Sequence, residues 1–187
     1  MKNSLFLALA LSFPLSGIAA DNYTIDPSHT FPNFTISHLG FSTMHGRFDK
    51  TSGTVTLDSK AKKGSIDITV DTASISTGHA KRDKHLRSPD FFNAAEFPTI
   101  TYKSNAVHFD GDMPSMVDGT LTISGVSKPV KLEIDAFKCG VHPMNKKNIC
   151  GANATTHIKR SDFGMNYGLP GIGDDVNLTF EIEAVKN

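Results

Sequence analysis

One short stretch of this chain concentrates side chains that can do chemistry. Between residues 78 and 98, basic and imidazole side chains are followed by phenylalanines: His79, Lys81, Arg82, Lys84, His85, Arg87, Phe91, Phe92 and Phe97. Basic side chains bind phosphate through charge-assisted hydrogen bonds, and an imidazole can donate to a carbonyl. The same residues also fit a solvated surface helix in which Arg82 pairs with Asp83. A polar ligand contact and a structural role are therefore both open for this stretch.

The eight histidines of the chain raise the question of a metal site. His29, His38 and His45 surround one predicted strand, and His79 and His85 lie in the basic stretch. None of these pairs has the i, i+4 helical spacing, or the alternate-residue strand spacing, that places two imidazoles side by side. A metal site assembled from distant strands, or a stress-related enzyme that uses the histidines, remains the alternative function.

Motifs of the common enzyme classes are missing from the sequence. There is no nucleophile elbow, phosphate loop or dinucleotide fingerprint, and the glycine-rich run at 164–173 precedes a predicted strand. His85 with Asp83 or Asp90 resembles an acid–base pair, but no nucleophile accompanies it. We therefore predict that the protein is not an enzyme and has no catalytic residues.

The elements that must position these side chains are predicted to be antiparallel strands. Apolar and polar residues alternate over 117–123 and 130–135, which predicts a hairpin that turns between Ser124 and Pro129. The same period appears in seven or so further segments, at 23–26, 33–38, 46–57, 65–71, 99–109, 152–158 and 176–185. Each strand therefore has one apolar face and one wet face.

These strands leave a β-sandwich or a closed barrel as the candidate folds. The long strand at 46–57 favours the barrel, because Gly53 in its interior permits a sharp bend. Ser88, as an N-cap before Pro89, predicts a short helix that begins at Pro89 and ends before Pro98. A helical turn over 79–86, capped by Thr77, is also predicted. One or two short helices would then cover the barrel mouth.

The N-terminus predicts export. Residues 1–20 combine Lys2, the apolar stretch 5–15 and small residues before Asp21, which is typical of a signal peptide. The apolar stretch is too short to span a bilayer. Residues 21–187 are predicted to form a single domain.

Charge and cysteine content narrow the class of protein further. The chain has 19 basic and 19 acidic residues, a balance that argues against nucleic-acid binding. In an oxidising compartment its two cysteines, Cys139 and Cys150, are expected to form a disulfide across a hairpin. Such a bridge is worth roughly 2–3 kcal/mol in the chain-entropy model. Two free thiols are the alternative.

The order of several short motifs resembles the YceI-like, polyisoprenoid-binding family of bacterial periplasmic proteins. The motifs extend over essentially the whole mature chain: Tyr23-x-Ile25-Asp26-x-x-His29, Phe34-x-Ile36-x-His38-x-Gly40, Gly46-x-Phe48, Arg82-Asp83-x-His85-Leu86, Phe91-Phe92, Phe97-Pro98-x-Ile100-x-Tyr102-x-Ser104, Gly119-x-Leu121-x-Ile123-x-Gly125 and Arg160-Ser161-Asp162-Phe163-Gly164. Each motif is weak by itself, but their order and spacing are specific.

This resemblance implies an all-β fold, an extended antiparallel eight-stranded lipocalin-like β-barrel with one or two short helices inserted between strands. It further implies a periplasmic or secreted, non-catalytic carrier or storage protein whose barrel pore holds one isoprenoid lipid. A polyprenyl phosphate and an isoprenoid quinone such as ubiquinone are both compatible ligands. Transient contact with a membrane surface or membrane protein would serve lipid exchange, and both a monomer and a homodimer remain open.

The predicted ligand-contacting residues fall into two groups. Inward-facing positions of the strands are Phe34, Ile36, Phe48, Val55, Ile68, Val70, Tyr102, Leu121, Leu132, Ile134 and Phe180. Residues at the mouth are His38, Arg82, His85, Leu86, Phe91 and Phe92. For each inward-facing residue, ordinary core packing is the alternative to ligand contact.

Overall fold

The computed structural model describes residues 20–187, which form one antiparallel sheet. Apart from Ala20, the predicted signal peptide lies outside the described residues. The strands are β1 (Asp21–Ile25), β2 (Phe31–His38), β3 (Ser42–Phe48), β4 (Thr51–Asp58), β5 (Lys63–Asp71), β6 (Ile75–Ser76), β7 (Thr99–Asp110), β8 (Met113–Ile123), β9 (Val126–Val141), β10 (Asn148–Lys159) and β11 (Ile172–Lys186). Helix α1 (Ala80–Leu86) lies between β6 and β7, and 3-10 turns lie at Thr72–Ser74 and Arg160–Phe163. Within the described part, no helix is long and apolar enough to cross a membrane.

The sheet closes into an eight-stranded antiparallel barrel, which confirms the predicted fold class. β1 and β2 act as two halves of one barrel strand, because both pair with β11. β3 and β4 do the same, pairing with β2 and β1 respectively. The closing strand β11 also pairs with β10 along most of its length.

The predicted single strand at 46–57 is divided in the structure. β3 ends at Phe48 and β4 begins at Thr51, so the break lies at Asp49 and Lys50. Gly53, in β4, has a φ of 149°. A Cβ atom there would overlap the carbonyl oxygen of Asp67 on β5. Only glycine allows this close approach of two strands, so Gly53 is required by the packing of β4 on β5, whereas the interruption of the strand lies at 49–50.

The turn between β8 and β9 is tighter than the predicted span from Ser124 to Pro129. Only Ser124 and Gly125 connect the two strands, and both have positive φ, at 50° and 75°. Such primed turns match the right-handed twist of the flanking strands. Pro129 lies inside β9 opposite Thr120, at a position before the β9 residues that pair with β10. Its missing N–H therefore costs no ladder hydrogen bond.

The helix predicted to begin at Pro89 does not form. Residues 88–97 make successive turns in which the carbonyl of Ser88 accepts from Phe91 and Asn93, and the carbonyl of Asn93 accepts from Phe97. Asn93 has a φ of 45°, which no helix accommodates. The Ser88 hydroxyl is buried, has no hydrogen-bond partner among residues 20–187, and caps no helix there.

Helix α1 forms where a helical turn was predicted, but its cap is a different residue. The Nδ1 atom of His79 accepts from the Arg82 N–H at 3.2 Å. The Thr77 hydroxyl does not cap the helix, because it donates to Asp83 and its oxygen already accepts from the Arg82 Nε. The sequence preference for threonine at the cap is thus overridden by a tertiary hydrogen bond.

The two ends of the barrel differ. One end, called here the helical end, carries the connections 39–41, 77–98, 124–125 and 160–171. The segment 77–98 lies across this end: the Ser124 hydroxyl donates to the Phe92 carbonyl, and the Phe97 ring lies over Gly125. The opposite end, called the hairpin end, carries the short turns 59–62, 111–112 and 142–147 and both termini of the described chain. A lid therefore covers one end only.

The predicted disulfide is present near the hairpin end. Cys139 on β9 bonds to Cys150 directly opposite on β10. It holds the two strands together just before the turn at 142–147, so the bridge lies across a hairpin, as predicted.

Candidate ligand-binding cavity

The barrel interior contains two cavities. The larger is about 380 Å³ and extends toward the helical end, and the smaller is about 80 Å³ and lies toward the hairpin end. Their walls share Ile66, Ile68, Leu132 and Ile182, which we call the waist. The larger cavity falls within the range of roughly 300–1,000 Å³ that is usual for small-molecule sites.

The interior is open because the inward-facing side chains do not fill it. Phe34 and Ile36 of β2 and Leu178 and Phe180 of β11 face inward and pack against the core, yet each remains partly accessible. In an eight-stranded barrel the interior is just wide enough either to be packed shut or to hold one ligand. The partly accessible inner faces show that this interior is not packed shut.

Every residue predicted to contact a ligand lines one of the two cavities. The larger one is lined by Phe34, Ile36, His38, Phe48, Ile68, Val70, Arg82, His85, Leu86, Phe91, Phe92, Tyr102, Leu121, Leu132 and Phe180. Val55 and Ile134 line the smaller one. The strand period was the signal that located the inward-facing set, and the assignment of ligand contact to these residues remains a prediction.

Several lining residues were not singled out from the sequence. Additional apolar residues of the larger cavity are Met44, Ile66, Ile100, Ile123, Val130, Ile158, Met165, Ile172, Val176, Leu178 and Ile182. Those in β9 and β11 follow the same period as their predicted neighbours, so the pattern could have found them. Met165 lies in a turn, where no periodic signal exists.

Two glycines make room for aromatic rings of the cavity wall. A Cβ atom on Gly46 would overlap the ring of Phe34, and a Cβ atom on Gly119 would overlap the ring of Tyr102. Each ring therefore lies flat across a neighbouring strand. This arrangement widens the space left at the barrel axis.

The Tyr102 hydroxyl forms hydrogen bonds within the barrel wall and is not available for a polar contact with a ligand. Its hydroxyl lies 3.2 Å from the Val117 carbonyl and 3.0 Å from the Val130 carbonyl, so it is used within the sheet. Burial raises the pKa of Tyr102 well above its ordinary value, with a smaller contribution from the charge of Asp118. The phenol therefore stays neutral and ties β7 to β9 across β8.

Arg82 is oriented by Thr77. Its Nε donates to the Thr77 hydroxyl at 2.7 Å, and its Nη2 donates to the Thr77 carbonyl at 2.8 Å. Asp83 accepts from the same threonine and forms no salt bridge with Arg82 in the described part of the chain. The structural alternative for Arg82, a pair with Asp83, is therefore not observed. Thr77 holds the guanidinium instead, and Nη1 forms no hydrogen bond with residues 20–187.

His85 belongs to an aromatic cluster at the helical end. Its Nε2 lies 2.8 Å from a carboxylate oxygen of Asp90. Its ring packs edge-on against Phe91 and Tyr167, at centroid distances of 5.1 and 5.3 Å. Tyr167, which the sequence did not indicate, thereby joins the 160–171 connection to the lid.

Arg160 is the most deeply buried charged residue of this end, with only 3% of its surface exposed. Its Nε, Nη1 and Nη2 donate to the carbonyls of Gly173, Met165 and Ile172 at 2.8, 2.8 and 3.0 Å. Burial lowers the pKa of Arg160 from its ordinary value, and the nearby charge of Asp174 partly opposes that shift. The guanidinium fastens the connection 160–171 to the start of β11.

Among residues 20–187, one group of side chains has the spacing to hold a metal ion, as the metal alternative requires. Asp26, His29 and Glu183 place their ligand atoms within 4.8 Å of one another. Asp26 already accepts from the N–H and hydroxyl of Ser28 and contacts His29 Nδ1 at 2.9 Å. Because the Asp26 oxygens already accept hydrogen bonds within a local turn, we interpret the group as a structural ion pair. His38, His45, His79 and His85 do not belong to it.

This turn predicts a pH-dependent contribution to stability. Hydrogen bonds from Ser28 and then His29 lower the pKa of Asp26 to about 2, below its ordinary 3.8. Hydrogen bonding to Asp26, and then the charge of Glu183, raise the pKa of His29. The Asp26 contribution is present above pH 3.8 and is lost as pH falls through 2. The His29 contribution is present below its ordinary pKa of 6.5 and is lost as pH rises through the raised value.

We therefore expect Asp26→Asn to lower the free energy of unfolding by about 1 kcal/mol near pH 5, after allowing for solvent screening. The side chain of Asp26 is 26% exposed, which limits the effect. Urea unfolding at about pH 5 and about pH 2 measures it. Asp67→Asn, in an exposed pair with Lys103, is the control. An equal loss at both pH values would contradict the assigned role of Asp26.

Comparison with known proteins places the chain in a family. The YceI-like domain model matches residues 23–184. Protein YceI of Escherichia coli O157:H7 is 40% identical over 191 aligned positions, which cover 100% of this chain and 99% of that protein. The solved YCEI protein of Campylobacter jejuni is 32% identical, with a TM-score of 0.68 over 81% of this chain and 90% of its own.

A third similarity concerns the fold. A polyisoprenoid binding domain from Saccharophagus degradans, implicated in plant cell wall breakdown, has a TM-score of 0.66 with 19% identity. The match covers 88% of this chain and 98% of that domain. Together, the family model over nearly the whole barrel and the 40% identity to a full-length relative show that this chain belongs to the YceI-like domain family.

Proposed function

We propose that this protein is a non-catalytic carrier or storage protein that holds one long-chain isoprenoid lipid inside its barrel. The observation that carries the proposal is the apolar cavity of about 380 Å³ within a closed barrel. The polyisoprenoid binding domain from Saccharophagus degradans supports it, because that domain shares the fold. The YceI-like family assignment is consistent with a binding protein.

The arrangement of the cavities favours a long, flexible ligand. The two cavities lie toward opposite ends of the barrel and meet at the waist. The waist residues are all isoleucine or leucine, whose side chains can change rotamer without leaving a polar group unpaired. A chain that fills the larger cavity can therefore extend into the smaller one, and the bulk of the waist would influence which chain lengths fit.

Energetics indicate where the ligand comes from. Transfer of one five-carbon isoprene unit from water to an apolar site is worth on the order of 3–4 kcal/mol. Eight such units would exceed the ceiling of roughly 18–21 kcal/mol on non-covalent affinity. The relevant reference state is therefore a membrane, from which transfer into an apolar barrel changes the surroundings little. Discrimination must then come from chain length, shape and head group.

The helical end offers polar groups for a head group. Arg82 is held in place by Thr77, and its Nη1 has no hydrogen-bond partner among residues 20–187. His85 lines the same part of the cavity. A guanidinium suits a phosphate oxygen and can also donate to a quinone carbonyl, whereas His85 can donate to a ligand only if its Nε2 leaves Asp90 or both ring nitrogens are protonated. Polyprenyl phosphate and ubiquinone thus remain the two ligand classes of the proposal.

The proposed setting is the bacterial periplasm. The disulfide suits an oxidising compartment, and the predicted signal peptide provides export. In that setting the protein would transport or store its lipid by transient contact with a membrane surface or membrane protein. Balanced charge offers no basis for a nucleic-acid partner.

Organic extraction of the protein purified from its native source tests the proposal. Mass spectrometry of the extract should show one isoprenoid molecule per chain, and the lipid's mass would identify its head group and length. An extract without isoprenoid would refute the proposal.

The metal alternative is tested on the same preparation. Elemental analysis that finds one zinc, iron or copper per chain, lost on Asp26→Asn, would favour that alternative. Metal-free protein that carries lipid would exclude it.

A further inference from the structure

Three of the six large apolar side chains that are exposed among residues 20–187 lie at the helical end of the barrel. Leu39 and Phe41, in the turn between β2 and β3, are 56% and 89% exposed, and Tyr167 in the 160–171 connection is 50% exposed. We call these three residues the mouth patch. Large apolar side chains grouped at such exposure indicate a surface that another apolar body covers.

The mouth patch is continuous with the lining of the larger cavity. His38 and Met44, which flank the β2–β3 turn, both line that cavity. The Leu39 N–H donates to the Gly171 carbonyl at 2.7 Å, which joins the turn to the connection that carries Tyr167. The Tyr167 ring in turn packs against the cavity-lining Phe91 at a centroid distance of 5.3 Å.

The same end also presents cations. Lys81 and Lys84 on α1 are exposed, Arg87 at its C-cap is partly exposed, and none forms a salt bridge with any residue in the 20–187 range. The three acids of this stretch each have a hydrogen-bonding partner: Asp83 accepts from Thr77, Asp90 contacts His85, and Glu96 accepts from Asn93. With four Lys or Arg against these three acids, residues 77–98 carry a net charge of +1 without the histidines.

We propose that the mouth patch docks on the surface of an anionic lipid bilayer, with Phe41 inserted among the acyl chains and the α1 cations at the head groups. Apolar side chains inserted below a basic face are the physical basis of interfacial binding. A second copy of this chain is a poorer occupant, because a two-fold contact would bring the same cations face to face.

Docking in this orientation would let a lipid pass between the bilayer and the barrel without crossing water. A lipid that left the bilayer through water would expose every isoprene unit, whereas contact at the patch keeps the path apolar. The inference rests on the proposed function in one respect, namely that a lipid carrier must exchange its lipid with a membrane.

The hairpin end carries the other three exposed apolar side chains, Met113, Val141 and Met144, and supplies a matched control. Met144, in the 142–147 turn, is 86% exposed and nearly matches Phe41 in exposure. It lines neither cavity. Docking at that end would require the lipid to pass the waist to reach the larger cavity.

Co-sedimentation with vesicles of phosphatidylethanolamine and phosphatidylglycerol tests the proposal on the full mature protein. We expect Phe41→Ser to weaken vesicle binding about tenfold, the effect of losing one buried aromatic side chain, and Met144→Ser to leave it unchanged. The double variant Lys81→Glu and Lys84→Glu should weaken binding to these vesicles but not to phosphatidylcholine vesicles, and added salt should have the same effect.

Three results would overturn the docking proposal: binding unaffected by Phe41→Ser, binding lost instead on Met144→Ser, or a wild-type dimer that Phe41→Ser converts to a monomer. Lipid extraction of the same variants separates this inference from the carrier proposal. Phe41→Ser protein should retain its bound lipid. Wild-type protein that binds vesicles but yields no isoprenoid would refute the carrier proposal and leave the docking surface standing.

Discussion

The Leu178→Trp variant will bind its lipid about tenfold more weakly than the unchanged protein, a loss of about 1.4 kcal/mol, and will therefore carry less lipid per chain. Leu178 faces the larger cavity from β11, opposite Phe34 on β2. An indole at this position occupies space that the proposed isoprenoid chain requires. Because the interior is open there, the cost of overpacking should stay below the roughly 1–3 kcal/mol seen in filled cores.

Thr179→Trp is the matched control for this prediction. Thr179 is the next residue of β11 and is exposed on the outer face of the barrel. Lipid per chain is measured by mass spectrometry of organic extracts, and far-UV circular dichroism checks that both variants fold. Equal lipid content in the two variants would mean that the ligand does not occupy the larger cavity.

The largest loss of stability is expected from Arg160→Met. Methionine keeps much of the volume but removes the donors to three carbonyls, those of Met165, Ile172 and Gly173. Each buried carbonyl left without a donor costs roughly 1–3 kcal/mol, so we expect the free energy of unfolding to fall by about 3–5 kcal/mol. Urea unfolding measures this loss.

Limited proteolysis adds a local readout for the same variant. Without the guanidinium, the 160–171 connection loses its attachment to β11 and should be cleaved faster. Lys159→Met is the control, since Lys159 is the preceding residue and forms an exposed pair with Asp175; it should change stability only slightly. If both variants unfold at the same urea concentration, Arg160 does not fasten the helical end.

The predictions for Leu178→Trp and Arg160→Met concern separate parts of the barrel. Leu178 belongs to the rigid wall, whose positions follow from strand pairing, whereas Arg160 holds the connections that carry Tyr167 and meet the lid. The proposed carrier function would need both, because the wall would provide apolar volume and the helical end would be the place of lipid entry. The proposed docking surface lies on the second part.

The barrel wall was the most predictable part of the molecule. Alternation of apolar and polar residues is a local property of a strand, so inward positions such as Ile68 and Leu132 could be assigned without knowing their neighbours. The disulfide was equally accessible, because Cys139 and Cys150 are the only cysteines.

The lid was less predictable. A cap is a competition between one residue's local preference and all of its possible tertiary partners. Thr77 is bound by Asp83, so His79 caps α1 instead, and Ser88 caps no helix at all. Tyr167 and Met165 lie in turns, where no period marks which side chain points to the cavity.

The sequence by itself determined which side chains face inward, that the strands are antiparallel, and that basic and aromatic residues gather in the one helical excursion. These features depend on residues near each other along the chain. Only the tertiary structure decided the volume of the cavities and their division at the waist. It also decided that the Arg160 guanidinium donates to backbone carbonyls. The physical reason is that the volume of a barrel depends on closure and on the summed side chains of all its strands, which no single segment encodes.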